Sequence, residues 1–251
     1  MITRTKSPFL VLAFFMSFYF VGAQADPVRQ DAKAIDVLKH MAAFKSSQNA
    51  VVIKGVTFTD ARLGAGLMVS NAEEVSVSIK RPGSMLITSS DGEATKGFYF
   101  HDGLFTFFNS ATRLYGEADI PKDIEAAMEF ALDELGVEAP LLDMIYKDAS
   151  THLLTSGDTI LYLTDKARVG NADCHHMAIR GAEVDVQLWV EEGDRPVTRR
   201  LMITSKFEGG SPRFVANLDW DTNPKFKPGL FEFKAPDDAV KIEFIRGATA
   251  Q

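Results

Sequence analysis

Cysteine is all but absent, since Cys174 stands alone among 251 residues. An internal disulfide is therefore excluded, and stability has to come from packing. Catalytic signatures are missing as well. The chain has no Gly-x-Ser-x-Gly elbow and no glycine-rich phosphate loop between a strand and a helix. Long apolar runs are confined to the stretch from Phe9 to Val21. Acidic residues are absent from the first 25 positions, although the whole chain carries 34 of them against 27 basic residues.

That opening stretch has the three-part layout of an export signal. Arg4 and Lys6 precede the apolar run, and Ala23-Gln24-Ala25 offers small residues two apart at a cleavage point before Asp26. A retained membrane anchor is the alternative, but the apolar core is shorter than the ~18 residues a spanning helix needs. Residues 1–25 are thus expected to be a signal peptide cleaved after Ala25, leaving a single domain at 26–251 in the periplasm, not spanning the membrane. Removal of two basic residues and no acidic one leaves 25 against 34, a net charge of −9. Dispersed negative charge argues against nucleic acid and against bulk attraction to anionic membranes. Hydrophobic residues make up 46% of the chain and include 19 Phe, enough for a large core.

Periodicity gives a helix at 27–46, where Ile35, Leu38, Met41 and Ala42 recur at helical spacing. From Val51 the period becomes two. Val75, Val77 and Ile79 face one way within Glu74–Lys80, and Met85–Ser89, Thr95–His101 and Leu104–Asn109 follow as strands. Asp91-Gly92 and Asp102-Gly103 are hairpin turn signals. A second helix is expected from Pro121 to Leu135, with Ile124, Ala127, Met128, Ala131, Leu132 and Leu135 as its apolar face and Gly136 as its stop. Pro140–Tyr146 can add a third. Strands resume as Ile160–Lys166, Cys174–Arg180, Glu183–Val190, Arg199–Phe207, Arg213–Asp219 and Ala239–Ile245. Short links favour a meander, so the expected class is α+β: a half-barrel of about ten antiparallel strands whose concave face is covered by two or three amphipathic helices.

Chemistry-bearing clusters are sparse. Cys174-His175-His176 alternates faces in a strand, so only Cys174 and His176 can share an ion, too few for a structural zinc site. No metal and no cofactor are expected. Adjacent acids such as Glu191-Glu192 and Asp237-Asp238 read as solvated pairs, and Arg199-Arg200 as two surface charges on opposite faces. The aromatics are the most informative set: Phe98, Phe100, Phe105, Phe107 and Phe108 crowd one hairpin, with Tyr99 and Tyr115 nearby. They form either an ordinary core or the lining of a cavity that the helices close incompletely.

Lys80-Arg81-Pro82, Phe98-Tyr99-Phe100-His101-Asp102-Gly103, and Cys174-His175-His176-Met177-Ala178-Ile179-Arg180 carry a resemblance to a known family. Val184-Asp185-Val186-Gln187-Leu188-Trp189-Val190 and Pro196-x-x-Arg199-Arg200-Leu201 extend it. The chain resembles a bacterial family of predicted periplasmic proteins that is a domain of unknown function. Its members are similar to the periplasmic lipoprotein-localisation carriers and the outer-membrane lipoprotein receptor. The resemblance implies a half-barrel with a helical plug over an apolar cavity; it implies no catalytic residue.

The functional expectation is a monomeric, non-enzymatic carrier or binder of a lipid, an acyl chain or something lipoprotein-like. The alternative is a structural envelope protein, self-plugged and bound to an envelope partner. Strand parity places the ligand against Phe98, Phe100, His175, Met177, Ile179, Val184, Val186 and Leu188, with Met128 and Leu132 of the second helix above them.

Overall fold

In the computed structural model, the residues described are 30–137, 141, 144, 160–207 and 209–244. Residues 1–25 and most of the candidate third helix lie outside them. The helices are α1 (Ala32–Ser47) and α2 (Ile124–Leu135). The first six strands are β1 (Ala50–Arg62), β2 (Met68–Lys80), β3 (Ser84–Ser90), β4 (Thr95–His101), β5 (Leu104–Asn109) and β6 (Leu114–Asp119). After α2 come β7 (Ile160–Val169), β8 (Ala172–Arg180), β9 (Val184–Glu191), β10 (Thr198–Ser205), β11 (Arg213–Asp221) and β12 (Val240–Ile242).

All twelve strands form one curved, unclosed sheet in the order β12-β6-β5-β4-β3-β2-β1-β11-β10-β9-β8-β7. β1 to β6 is one meander. The chain then crosses by way of α2 to the far edge, and β7 to β11 is a second meander that returns to pair with β1. The strand count is twelve, not ten. β6 was missed because its inward positions, Gly116 and Ala118, are small and leave no apolar alternation to read. β12 pairs parallel with β6, so the sheet is antiparallel everywhere except at that edge.

Both helices start on an aspartate cap. Asp31 accepts from the amides of Lys33 and Ala34, and Asp123 from those of Glu125 and Ala126. α2 ends on Gly136, whose φ of 62° satisfies the left-handed conformation that terminates a helix without a Cβ clash. Asp123→Ala should therefore cost about 1 kcal/mol, read as a shift in the urea midpoint.

The register divides every strand into two faces. Inward lie Ile53, Val77, Ile87, Phe98 and Phe107 on five consecutive strands, each opposite the next. Leu163, Met177, Leu188 and Leu201 continue that face at the other end. Ala34, Leu38 and Met41 of α1, and Ile124, Ala127, Met128 and Leu135 of α2, join these in one continuous core. Leu141 and Met144 are buried in it too.

The outward face is covered in part by the segment that follows β11. Phe233 packs there against Tyr99, Phe108 and Tyr115 at ring separations of 5.2, 5.3 and 5.2 Å. The aromatic hairpin is thus split between two layers: Phe98, Phe100, Phe105 and Phe107 face inward, and Tyr99 and Phe108 outward. Beyond β12 the chain rounds the sheet edge. Phe244 sits on the inner side, where a Cβ at Gly116 would lie 2.9 Å from its ring.

Candidate functional site: the concave apolar face

Nine of the ten expected ligand residues lie on the inner face or on the packed side of the helix above it. Phe100 and Met177 are completely buried, and Phe98, Met128, Ile179, Val186 and Leu188 nearly so. Val184 is half-buried at the end of β9. Leu132 is the correction. It is 43% exposed, because it stands one position beyond the Ile124, Ala127, Met128, Ala131, Leu135 stripe and points off the packed side of α2.

His175 keeps its inward parity opposite Val190, but it lies away from α2. It lines a cleft of about 380 Å³ beside α1, with Val37, His40 and Phe44, and its Nδ1 is 3.7 Å from Glu192. The nine-membered group is therefore seven residues under cover and two, Val184 and His175, at the margins.

The concave face has two zones. Beneath the helices the described side chains pack closely: Ile53, Met85, Ile87, Phe100 and Met177 of the sheet and Ile124 of α2 are completely buried. Toward the opposite strand ends, Val184, Ile203 and Phe214 form a half-buried apolar row across β9, β10 and β11. Phe107 and Leu163 are half-buried members of the same face. Ile203, Phe214, Phe107 and Leu163 were missed as site residues, though the parity that selected Val186 and Phe98 also selects them. Beyond this row the inner face turns polar. Glu73 accepts from the Ser89 hydroxyl and lies 3.7 Å from the Lys96 ammonium.

α2 is attached to the sheet at its start. The Ile124 amide donates to the Pro82 carbonyl at 3.2 Å, and Arg81 pairs with Glu125 at 2.5 Å. Along the rest of α2, among the described residues, side chains make the contact with the sheet. α1 is also held at its N-terminal end, where the Asp31 amide donates to the Leu161 carbonyl at 3.0 Å.

The Cys174-His175-His176 group faces two ways. His176 lies outward, stacked on Trp189 at 4.2 Å and 3.0 Å from Gln187 Oε1, with the Arg200 guanidinium 5.2 Å from the Trp189 ring. Cys174 is fully buried on the same side, and that burial, the largest influence on it, pushes its thiol up from the ordinary range. Alkylation by iodoacetamide should be slow in native protein and rapid in denaturant, because the thiolate is the reactive form. Arg199 is not a surface charge. A register shift between Thr198 and Arg200 turns it onto the outer face beside Arg200, where it is buried and pairs with Asp219 at 2.6 Å. Among the described residues, no three His, Cys, Asp or Glu side chains converge as a metal site. No helix among them is long and apolar enough to cross a membrane.

The chain is similar, at low identity, to several solved structures. LprF from Mycobacterium bovis is 9% identical with a TM-score of 0.47, the match covering 84% of this chain and 100% of that one. The LolA superfamily protein NE2245 from Nitrosomonas europaea is 11% identical with a TM-score of 0.35, covering 79% and 96%. An outer membrane lipoprotein-sorting protein domain from Vibrio parahaemolyticus is 8% identical with a TM-score of 0.33, covering 79% and 97%. No curated protein matches the sequence. The family model described as "Predicted periplasmic protein (DUF2092)" matches residues 34–245, most of the chain, and to that family this protein belongs.

Proposed function

We propose that this protein is a periplasmic, non-enzymatic carrier or binder of an apolar ligand such as a lipid or an acyl chain. On this reading it is exported by residues 1–25 with cleavage after Ala25. The observation that carries the reading is the concave face itself. It is apolar across both meanders, and it is roofed by two helices rather than by strands. A sheet cover would be tied by a ladder of backbone hydrogen bonds. α2 is tied at its N-terminal end, so its apolar stripe can exchange with a ligand of similar shape. Such exchange is cheap because attraction between apolar surfaces is non-directional and scales with buried area. The half-buried row of Val184, Ile203 and Phe214 is the point of entry, since its apolar surface already meets solvent. Met128 and Met177, flexible and polarisable, suit apolar shapes that vary.

A second reading rests on the close packing under the helices. If the helices never leave, the protein is a self-plugged scaffold that works through an envelope partner. Titration with dansyl-undecanoic acid separates the two. Saturable binding is expected for the wild type, weakened more than about tenfold by Phe214→Asp, which places a carboxylate in the entry row at a cost above 1.4 kcal/mol. Lys234→Asp, on the exposed outer segment, should bind like the wild type. Absence of saturable binding to the wild type would favour the scaffold.

A further inference from the structure

On the side of the sheet opposite the concave face, the segment after β11 leaves a cleft of about 600 Å³ between itself and the outer face of β1, β2 and β3. Its walls are apolar at Val52, Leu86, Phe226 and Leu230. Ser76 and Ser78 point into it from β2, next to Lys54 and Val52 of β1 in register. Ser78 is 8% exposed, and neither hydroxyl has a hydrogen-bond partner among the described residues. Lys54, Lys225 and Lys227 stand around the opening, and among the described residues none of the three has a carboxylate partner. The two acids of the lining are otherwise engaged. Asp219 accepts from Arg199 at 2.6 Å, and Asp221 accepts from the Asn223 amide at 2.9 Å. Across the segment a smaller cleft of about 290 Å³ shares Phe226 and Lys227 and adds Lys80.

Three unpaired ammonium groups are conspicuous in a chain whose formal charge is −7. Apolar walls with a few convergent polar groups are the usual make-up of a small-molecule site. Apart from Asp219 and Asp221, the polar side chains here are able to donate: ammonium at the rim, hydroxyl at the floor. We propose that this cleft is a second binding site, specific for a small organic anion with an apolar body and a phosphate-type head. The apolar body lies between Phe226 and Leu86, and the head meets Lys225, Lys227 and Lys54. The donors match an acceptor-only head, whereas a cation would meet three like charges. Ser78 lies on the buried floor of a slot, which a free small molecule can reach and a flat membrane cannot.

Naphthyl phosphate tests the assignment by calorimetric titration and amide chemical shifts on the full-length mature protein. Saturable binding is expected, with shifts centred on Ser76, Ser78 and residues 224–230. Inorganic phosphate and neutral naphthol, each lacking one half of the recognition, should bind at least about tenfold more weakly. The double variant Lys225→Glu/Lys227→Glu should lose about tenfold or more as well. Ser78→Leu, which fills the floor without changing charge, should lose binding while the double variant and it both keep the wild-type circular dichroism spectrum. Phe214→Asp, on the concave face, should bind naphthyl phosphate normally, so the outcome is independent of the carrier reading. The assignment is overturned if the wild type shows no saturation, or if both cleft variants bind like the wild type. Lysine-dependent pelleting with phosphatidic acid vesicles, together with no binding of naphthyl phosphate, would likewise overturn it in favour of a membrane-facing patch.

Discussion

Met177→Asp is expected to leave no cooperatively folded protein at room temperature. Met177 is completely buried on β8, opposite Leu163 of β7 and Leu188 of β9. An unpaired carboxylate there must give up its hydration or take a proton, at a cost of several kcal/mol. Loss of the methionine's packing adds about 2 kcal/mol or more. Against a typical net stability of about 5–15 kcal/mol, the sum removes most or all of the margin. Urea titration followed by tryptophan fluorescence should show no native baseline. A midpoint close to the wild type would mean that position 177 faces water, and hence that the space under the helices is open. This also explains why a ligand-binding test belongs on Phe214, which is half-buried, and not on Met177.

The second large effect is predicted at the seam between the two meanders. Gly55 of β1 lies opposite Leu218 of β11 and Val75 of β2. A Cβ at that position would sit 2.0 Å from the Asn217 carbonyl oxygen, which is backbone and cannot step aside. Gly55→Ala must therefore push β1 and β11 apart where the sheet is held together across its middle. A loss of about 3 kcal/mol is expected, the upper range for overpacking. Gly64→Ala is the matched control, because nothing lies within 4 Å of its Cβ position. Its effect should stay within about 0.5 kcal/mol. Equal midpoints for the two variants would show that the close approach at Gly55 is not a constraint.

Most of the fold was legible because the inner face obeys simple alternation. Val75, Val77 and Ile79 declared β2, and turns at Asp91-Gly92 and Asp102-Gly103 set the edges of β4 and β5 almost to the residue. β6 was hidden because its inner positions had to be small to admit Phe244, a residue more than a hundred positions away. The parallel pairing of β12 was equally hidden, since nothing local to Val240–Ile242 encodes a chain that first crosses the outer face. Parity alone placed Phe98, Phe100, Met177, Ile179, Val186 and Leu188 correctly on one face. It failed at Leu132, where a helix stripe one residue too wide was read as buried, and at Arg199, where a bulge turned a residue to the opposite face. The outer cleft had no sequence signal, because its walls come from β1 to β3 and from a segment that follows β11.

A carrier must hold its apolar ligand on the concave face beneath the helices. Native mass spectrometry of protein isolated from its own periplasm without detergent tests it most directly. A fraction of molecules heavier than the bare mature chain is expected, the excess being released by organic solvent as an apolar compound and missing from Phe214→Asp. A single species at the mass of the bare chain, with nothing apolar in the extract, would contradict it.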